Sequence, residues 1–130
     1  MTSAEGALRA RALDLLAKDA ALAGLVHGIF DGTPPRASAP YVMVGTAEGS
    51  DWGTKDRAGR EIRLALTLVG VGGADGDAAA ARVDAVAHAM RGPAGVWTVV
   101  AARTIRTRFT FARDGGWRHE MVVRCRCLAA

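Results

Sequence analysis

Between two apolar runs the chain reads GSDWGTKDRAGRE, Gly49 to Glu61, and nearly every residue type that does chemistry is present there. Asp51 and Asp56 offer carboxylates for acid–base work. Trp52 offers a flat indole, and Thr54 and Lys55 place a hydroxyl beside an ammonium. Arg57 and Arg60 add two guanidinium groups of the kind that grip phosphate or carboxylate. Three uses fit such a loop: catalysis, phosphate binding, or a surface that another protein reads.

The rest of the chain does little to complete an active site. Ser3, Ser38 and Ser50 stand outside any G-x-S-x-G turn. His27, His88 and His119 are scattered, and His119-Glu120 lacks the second histidine of a zinc-binding H-E-x-x-H helix. Cys125 and Cys127 are one residue apart, so in a strand they share a face. Two ligands do not close a structural zinc site, and no C-x-x-C pair exists to help them. They read as buried apolar thiols of a reducing compartment. The run LTLVGVGGADGDAAAARV imitates the strand, glycines and helix of a dinucleotide site. Gly70 and Gly72 match its first two glycines, but Asp75 takes the third place. A carboxylate there repels the pyrophosphate that a helix N-terminus would attract. G-K-[ST] is missing, which removes a P-loop. No catalytic residue, cofactor or metal is therefore expected.

The elements that would hold the 49–61 loop follow from periodicity. Thr2 and Glu5 fit a capping box, and Leu8, Ala12, Leu15, Leu22 and Val26 recur at helical spacing. This predicts a helix over about 3–25, with Asp19 as the point where it would break. Phe30 to Pro40 holds three prolines and an Asp-Gly, and reads as irregular. YVMVGT is strand-like. After the loop, Ile62, Leu64, Leu66 and Leu68 alternate with Glu61, Arg63, Ala65 and Thr67, the pattern of an antiparallel sheet covered on one face. A turn at VGGADGD, with Asp75 or Asp77 as cap, opens a second helix striped by Ala79, Val83, Val86 and Met90. Gly92-Pro93 ends it.

Three further strands are predicted, in VWTVVAA, TIRTRFTFA and WRHEMVVRCRCLA, the last two joined at Asp114-Gly115-Gly116. In that hairpin Ile105, Thr107, Phe109 and Phe111 face one way with Met121, Val123, Cys125 and Cys127. Arg106, Arg108, Arg124 and Arg126 face the other. The expectation is an α+β fold over residues 1–130: a single domain, with an antiparallel sheet of four to five strands and two helices packed on one face.

Composition narrows the function classes. Half of the 130 residues are hydrophobic, so disorder is excluded and one small core is expected. No apolar run approaches the length of a membrane helix, and the N-terminus lacks a signal peptide's apolar core. A soluble cytoplasmic protein without membrane contact is expected. The net charge is +4, yet residues 91–130 hold eight arginines against Asp114 and Glu120. The arginine face of the last hairpin is either a solvated face that discourages edge pairing or a surface that meets phosphates. Base stacking would want aromatics among the arginines. Phe109 and Phe111 are expected on the core face, so sequence-specific reading of DNA or RNA is not.

The order ALRARALDLLAKDAALAGLV, IFDGTPP, PYVMVG, DWGTKDRAGREIRLALTLVG, a helix, and RFTFARDGGWRHEMVVRCRCL resembles the tail completion (tail terminator) proteins of siphovirus-type phages. The likeness is strongest to those of gene transfer agents and spans nearly the whole chain. It implies a structural, non-enzymatic protein that forms a ring, commonly of six copies, on the end of the tail tube. The ring stops addition of tube protein, offers a surface to the head-side connector, and leaves a hole through which double-stranded DNA passes without sequence recognition. Assembly in the bacterial cytoplasm and final residence at the head–tail junction go with that role. Asp51, Trp52, Lys55, Arg57 and Arg60 become candidates for contact between subunits, Trp52 being either a lid on its own core or an anchor in a neighbour. Arg106, Arg108, Arg124 and Arg126 become candidates for facing the channel or a partner. The alternative is a small enzyme or nucleotide- or nucleic-acid-binding protein that uses the 49–61 loop and the arginine face.

Overall fold

In the computed structural model, which describes residues 3–73 and 76–129, Ser3 starts the first helix. Its hydroxyl accepts a hydrogen bond from the Gly6 N–H at 3.0 Å. The expected cap, Thr2, lies outside the described residues. Helix α1 runs Ala4–Lys18 and stops at Asp19, whose carboxylate accepts from the Leu22 N–H at 3.0 Å and so caps α2, Ala20–Ala23. The helix predicted over about 3–25 is broken at Asp19, the point expected, into two. Asp19 separates them because an extended backbone there lets its side chain satisfy the free amides of the next turn.

Six strands follow, not four to five: β1 Ile29–Asp31, β2 Tyr41–Asp51, β3 Gly59–Val71, β4 Gly92–Ala94, β5 Trp97–Phe111 and β6 Gly116–Ala129. Helix α3, Gly76–His88, lies between β3 and β4, making three helices among the described residues rather than two. Asp77 falls in its first turn, while the other expected cap, Asp75, lies outside the described residues. The sheet order is β1-β2-β3-β6-β5-β4. Every pairing is antiparallel except the parallel β1–β2, so the sheet is mixed rather than antiparallel throughout.

The unforeseen strands are short and sit at the two edges. Part of the segment expected to be irregular, Phe30 and Asp31, lies in β1. Pro93 is tolerated in β4 because an edge strand can spare one donor. The two strands expected at 96–102 and 104–112 are the single β5. Its pairing to β6 slips by one residue between Val99 and Ala101 and again between Thr104 and Arg106. Each bulge resets the alternation, so a continuous strand reads in sequence as two. The Thr104 hydroxyl, donating to Asp84 of α3 at 2.7 Å, fixes the strand between the bulges. β2 carries its own slip between Val44 and Ala47. Arg9 of α1 holds it, donating to the Gly45 and Val44 carbonyls at 2.8 Å each and pairing with Asp31.

All the helices cover one face of the sheet. Leu8, Ala12 and Leu16 of α1 and Val83, Val86 and Ala87 of α3 bury against Ile62, Leu64, Leu66, Leu68, Met121, Val123, Cys125 and Cys127. At the far end of that face Trp117 lies across Gly70, its pair on β3, and donates its indole N–H to the Gly72 carbonyl at 2.8 Å. Among the described residues no helix lies on the opposite face of β3, β6 and β5.

Candidate functional site

The expected 49–61 loop is mostly sheet. Gly49, Ser50 and Asp51 pair with Ile62, Glu61 and Arg60, leaving a tip of residues 52–58. The Trp52 N–H donates to the Gly59 carbonyl at 3.0 Å and the Thr54 N–H to the Arg57 carbonyl at 2.9 Å, which closes the tip tightly. The Asp51 carboxylate accepts a long bond, 3.4 Å, from the Gly53 N–H.

The five residues singled out here diverge. Arg57 Nε donates to the Ala129 carbonyl at 2.9 Å, tying the tip to the end of β6. Arg60 turns to the helix side, 3.9 Å from Glu5 of α1. Trp52 is half-buried and packs across the Arg126 guanidinium, 5.5 Å from ring centre to Cζ, a cation–π contact. Lys55 and Asp51 are exposed. No common point receives these groups, so the loop does not assemble a catalytic cluster. Among the described residues no group of three His, Cys, Asp or Glu could hold a metal ion. Cys125 and Cys127 are free and buried. Burial, and then the neighbouring Cys127 thiol, push Cys125 up to about 12, which keeps it neutral and unreactive.

The open face of the sheet does collect charge. Arg106 and Arg108 on β5 and Arg124 and Arg126 on β6 lie on it as expected, and the register adds Arg63, Arg103 and Arg118. One row across three strands reads Arg63, Arg124, Arg103, with only Glu48 continuing it on β2. Like charges directly opposite one another destabilise a sheet. Glu61 relieves part of this row from the side, 3.0 Å from Arg126 and 4.0 Å from Arg124. Arg63, Arg103, Arg106 and Arg108 are exposed. The missing signal for Arg63 and Arg103 was the pairing of β3 and β5 with β6, which no local pattern states.

Phe109 and Phe111 correct the expectation that they are core. They share the helix side with Trp117, but they are 49% and 79% exposed, because a groove rather than close packing lies between them and the start of α3. Phe109 stacks on Trp117 at 5.4 Å and meets Phe111 edge-on at 5.0 Å. A groove of about 410 Å³ opens between this cluster, Asp77 and the glycines before α3. Alternation in sequence gave their side of the sheet correctly, but it carries no record of how far the helices reach.

A family described as tail completion protein gp17 matches residues 10–129. A chain in the solved virion of a native gene transfer agent (GTA) particle superposes with a TM-score of 0.86 at 27% identity, over 98% of this chain and 100% of that one. No curated protein sequence matches significantly.

Proposed function

The chain belongs to the tail completion protein gp17 family, a structural component of tail assembly, and from that premise we propose that it forms the closed ring that ends a phage-like tail. Six copies of a single domain sit on the last layer of tube protein, stop further addition, and present their other side to the head-side connector. The finished ring stays at the head–tail junction, and double-stranded DNA moves through its centre. The role needs no catalysis, in keeping with a family whose part in the tail is structural.

The observation that carries this reading is the full-length likeness to a chain within a gene transfer agent virion. Two features of the chain support its details. The open sheet face sets arginines side by side at a cost in stability, a cost that nearby phosphates offset, so Arg106, Arg108, Arg124 and Arg126 face the DNA path or an acidic partner. The 52–58 tip stands at the end of the sheet beside the end of β6, with Lys55 on it and Asp51 before it exposed. There, with Trp52, Arg57 and Arg60 at its base, it sets the register between neighbouring copies.

Native mass spectrometry of the purified chain, alone and mixed with tail tubes, tests the ring. A six-fold species, or discrete caps on tube ends that block elongation, is the expected result. A chain that stays monomeric and leaves tube growth unaffected sinks it.

A further inference from the structure

The open face of the sheet carries carboxylates of its own. The register sets Glu48 opposite Arg63, Glu61 opposite Arg126 and Glu120 opposite Arg108. Among the described residues only Glu61 turns this placement into ion pairs on that face. Alternation along β3 puts Ile62 into the core and Glu61 on the open side. There Arg126 is its direct cross-strand partner and Arg124 its diagonal neighbour, both within reach of a long side chain.

Glu61 engages both guanidinium groups. Arg126 donates to it through Nε at 3.0 Å, and the Arg124 Nε lies 4.0 Å away. The Glu61 side chain is 19% exposed, and salt screens a partly buried pair far less than an exposed one. Arg126 is held on a second side by the Trp52 ring, 5.5 Å from its Cζ. Arg124 stands between Arg63 and Arg103 in one row, so the carboxylate acts where like charges crowd together.

Arginines repeated at the roughly 4.8 Å spacing of strands, in the middle of a face, suit a repeating polyanion. A protein interface is instead depleted of charge at its core. For DNA, every phosphate gripped multiplies the affinity. A face that used all its arginines would therefore hold a duplex that has to move. We propose that Glu61 is a brake on this grip. By keeping Arg124 and Arg126 on itself, it lowers the number of phosphates the face binds, so that DNA slides across instead of sticking. This rests on the reading of the open face as the DNA path. Glu61 is a positioning residue, which acts through the two arginines and touches no phosphate itself.

Glu61→Gln keeps the shape of the side chain and drops its charge. Binding to duplex DNA of random sequence is measured from about 50 to about 200 mM salt, where the slope of log affinity against log salt counts phosphate contacts. Glu61→Gln is expected to steepen that slope by up to about two, losing about tenfold more affinity across the range than the unmodified chain. Glu48→Gln makes the same change of charge on the same face with no ion-paired arginine to free, and its slope is expected to stay unchanged. Arg124→Gln combined with Arg126→Gln tests the same point with Glu61 in place, so the outcome does not depend on the fold of Glu61→Gln. Those arginines are already engaged, so the slope should hold, and a fall of about two would overturn the brake. An unchanged slope for folded Glu61→Gln, or an equal steepening in Glu48→Gln, overturns it as well and leaves the DNA path standing. If none of these chains binds DNA even at the lowest salt, the DNA-path reading fails and takes the brake with it. Binding of polyglutamate in place of DNA has the same consequence and assigns the face to an acidic partner.

Discussion

Gly70 is the residue on which the aromatic end depends. A Cβ placed there would meet Trp117 at 2.1 Å, and one on Gly76 would meet the same ring at 2.9 Å. The ring cannot swing aside without giving up its hydrogen bond to the Gly72 carbonyl. Gly70→Ala therefore overpacks a site with no free direction, and we expect a loss of about 1–3 kcal/mol. Urea unfolding measures it, and an unchanged midpoint would mean that Trp117 does not lie across β3. The effect extends past stability, because Phe109 stacks on Trp117 and meets Phe111 edge-on. A displaced indole would disturb the Phe109–Phe111 pair as well.

At the scale of elements, Asp19 does most to organise the helical layer. It ends α1, caps α2 and receives Arg82 of α3 at 2.6 Å. The Arg82 hydrogen bond first, and the Leu22 amide second, hold its carboxyl below the ordinary value of 3.8. A depressed carboxyl stabilises the fold above its unfolded pKa, and that share is lost as the pH falls through the folded value. Asp19→Ala should cost on the order of 1–2 kcal/mol near pH 7, chiefly as a lost cap. Asp19→Asn keeps a cap but drops the charge, so its deficit should shrink as melting is repeated at pH values falling below the ordinary carboxyl value of 3.8 toward the lower folded value. A deficit that stays constant from pH 7 to pH 3 would refute the ion pair's part.

For the whole molecule, the decisive asymmetry is between the sheet's two faces. The helices cover one, and the other carries Arg63, Arg103, Arg106, Arg108, Arg118, Arg124 and Arg126 across three neighbouring strands. Glu61 engages Arg124 and Arg126, so Arg106 and Arg108 are the cleaner probes. Reversing both with Arg106→Glu and Arg108→Glu should leave folding and ring assembly intact while lowering DNA delivery. If the ring holds DNA measurably, the salt dependence of that retention should fall by a slope of about two, one per lost phosphate contact. Delivery and retention equal to those of the unmodified chain would place the DNA path elsewhere.

The sequence alone determined what rests on local periodicity and side-chain chemistry: the break at Asp19, the buried stripe from Ile62 to Leu68, the hairpin after Phe111, and the buried thiols of β6. The resemblance carried by the whole chain likewise pointed to the right family. Tertiary structure alone decided the rest. Gly49 to Asp51 look like loop because their residues are polar, yet they are strand because β3 supplies partners. β1 and β4 exist only because a long neighbour templates three residues each. The bulges of β5 are set by pairing to β6, and no pattern within β5 announces them. Phe109 and Phe111 are exposed because the start of α3 leaves a groove beside them instead of packing over them. Alternation says which side of a strand a residue faces, but whether anything covers that side is settled by residues far away in the chain.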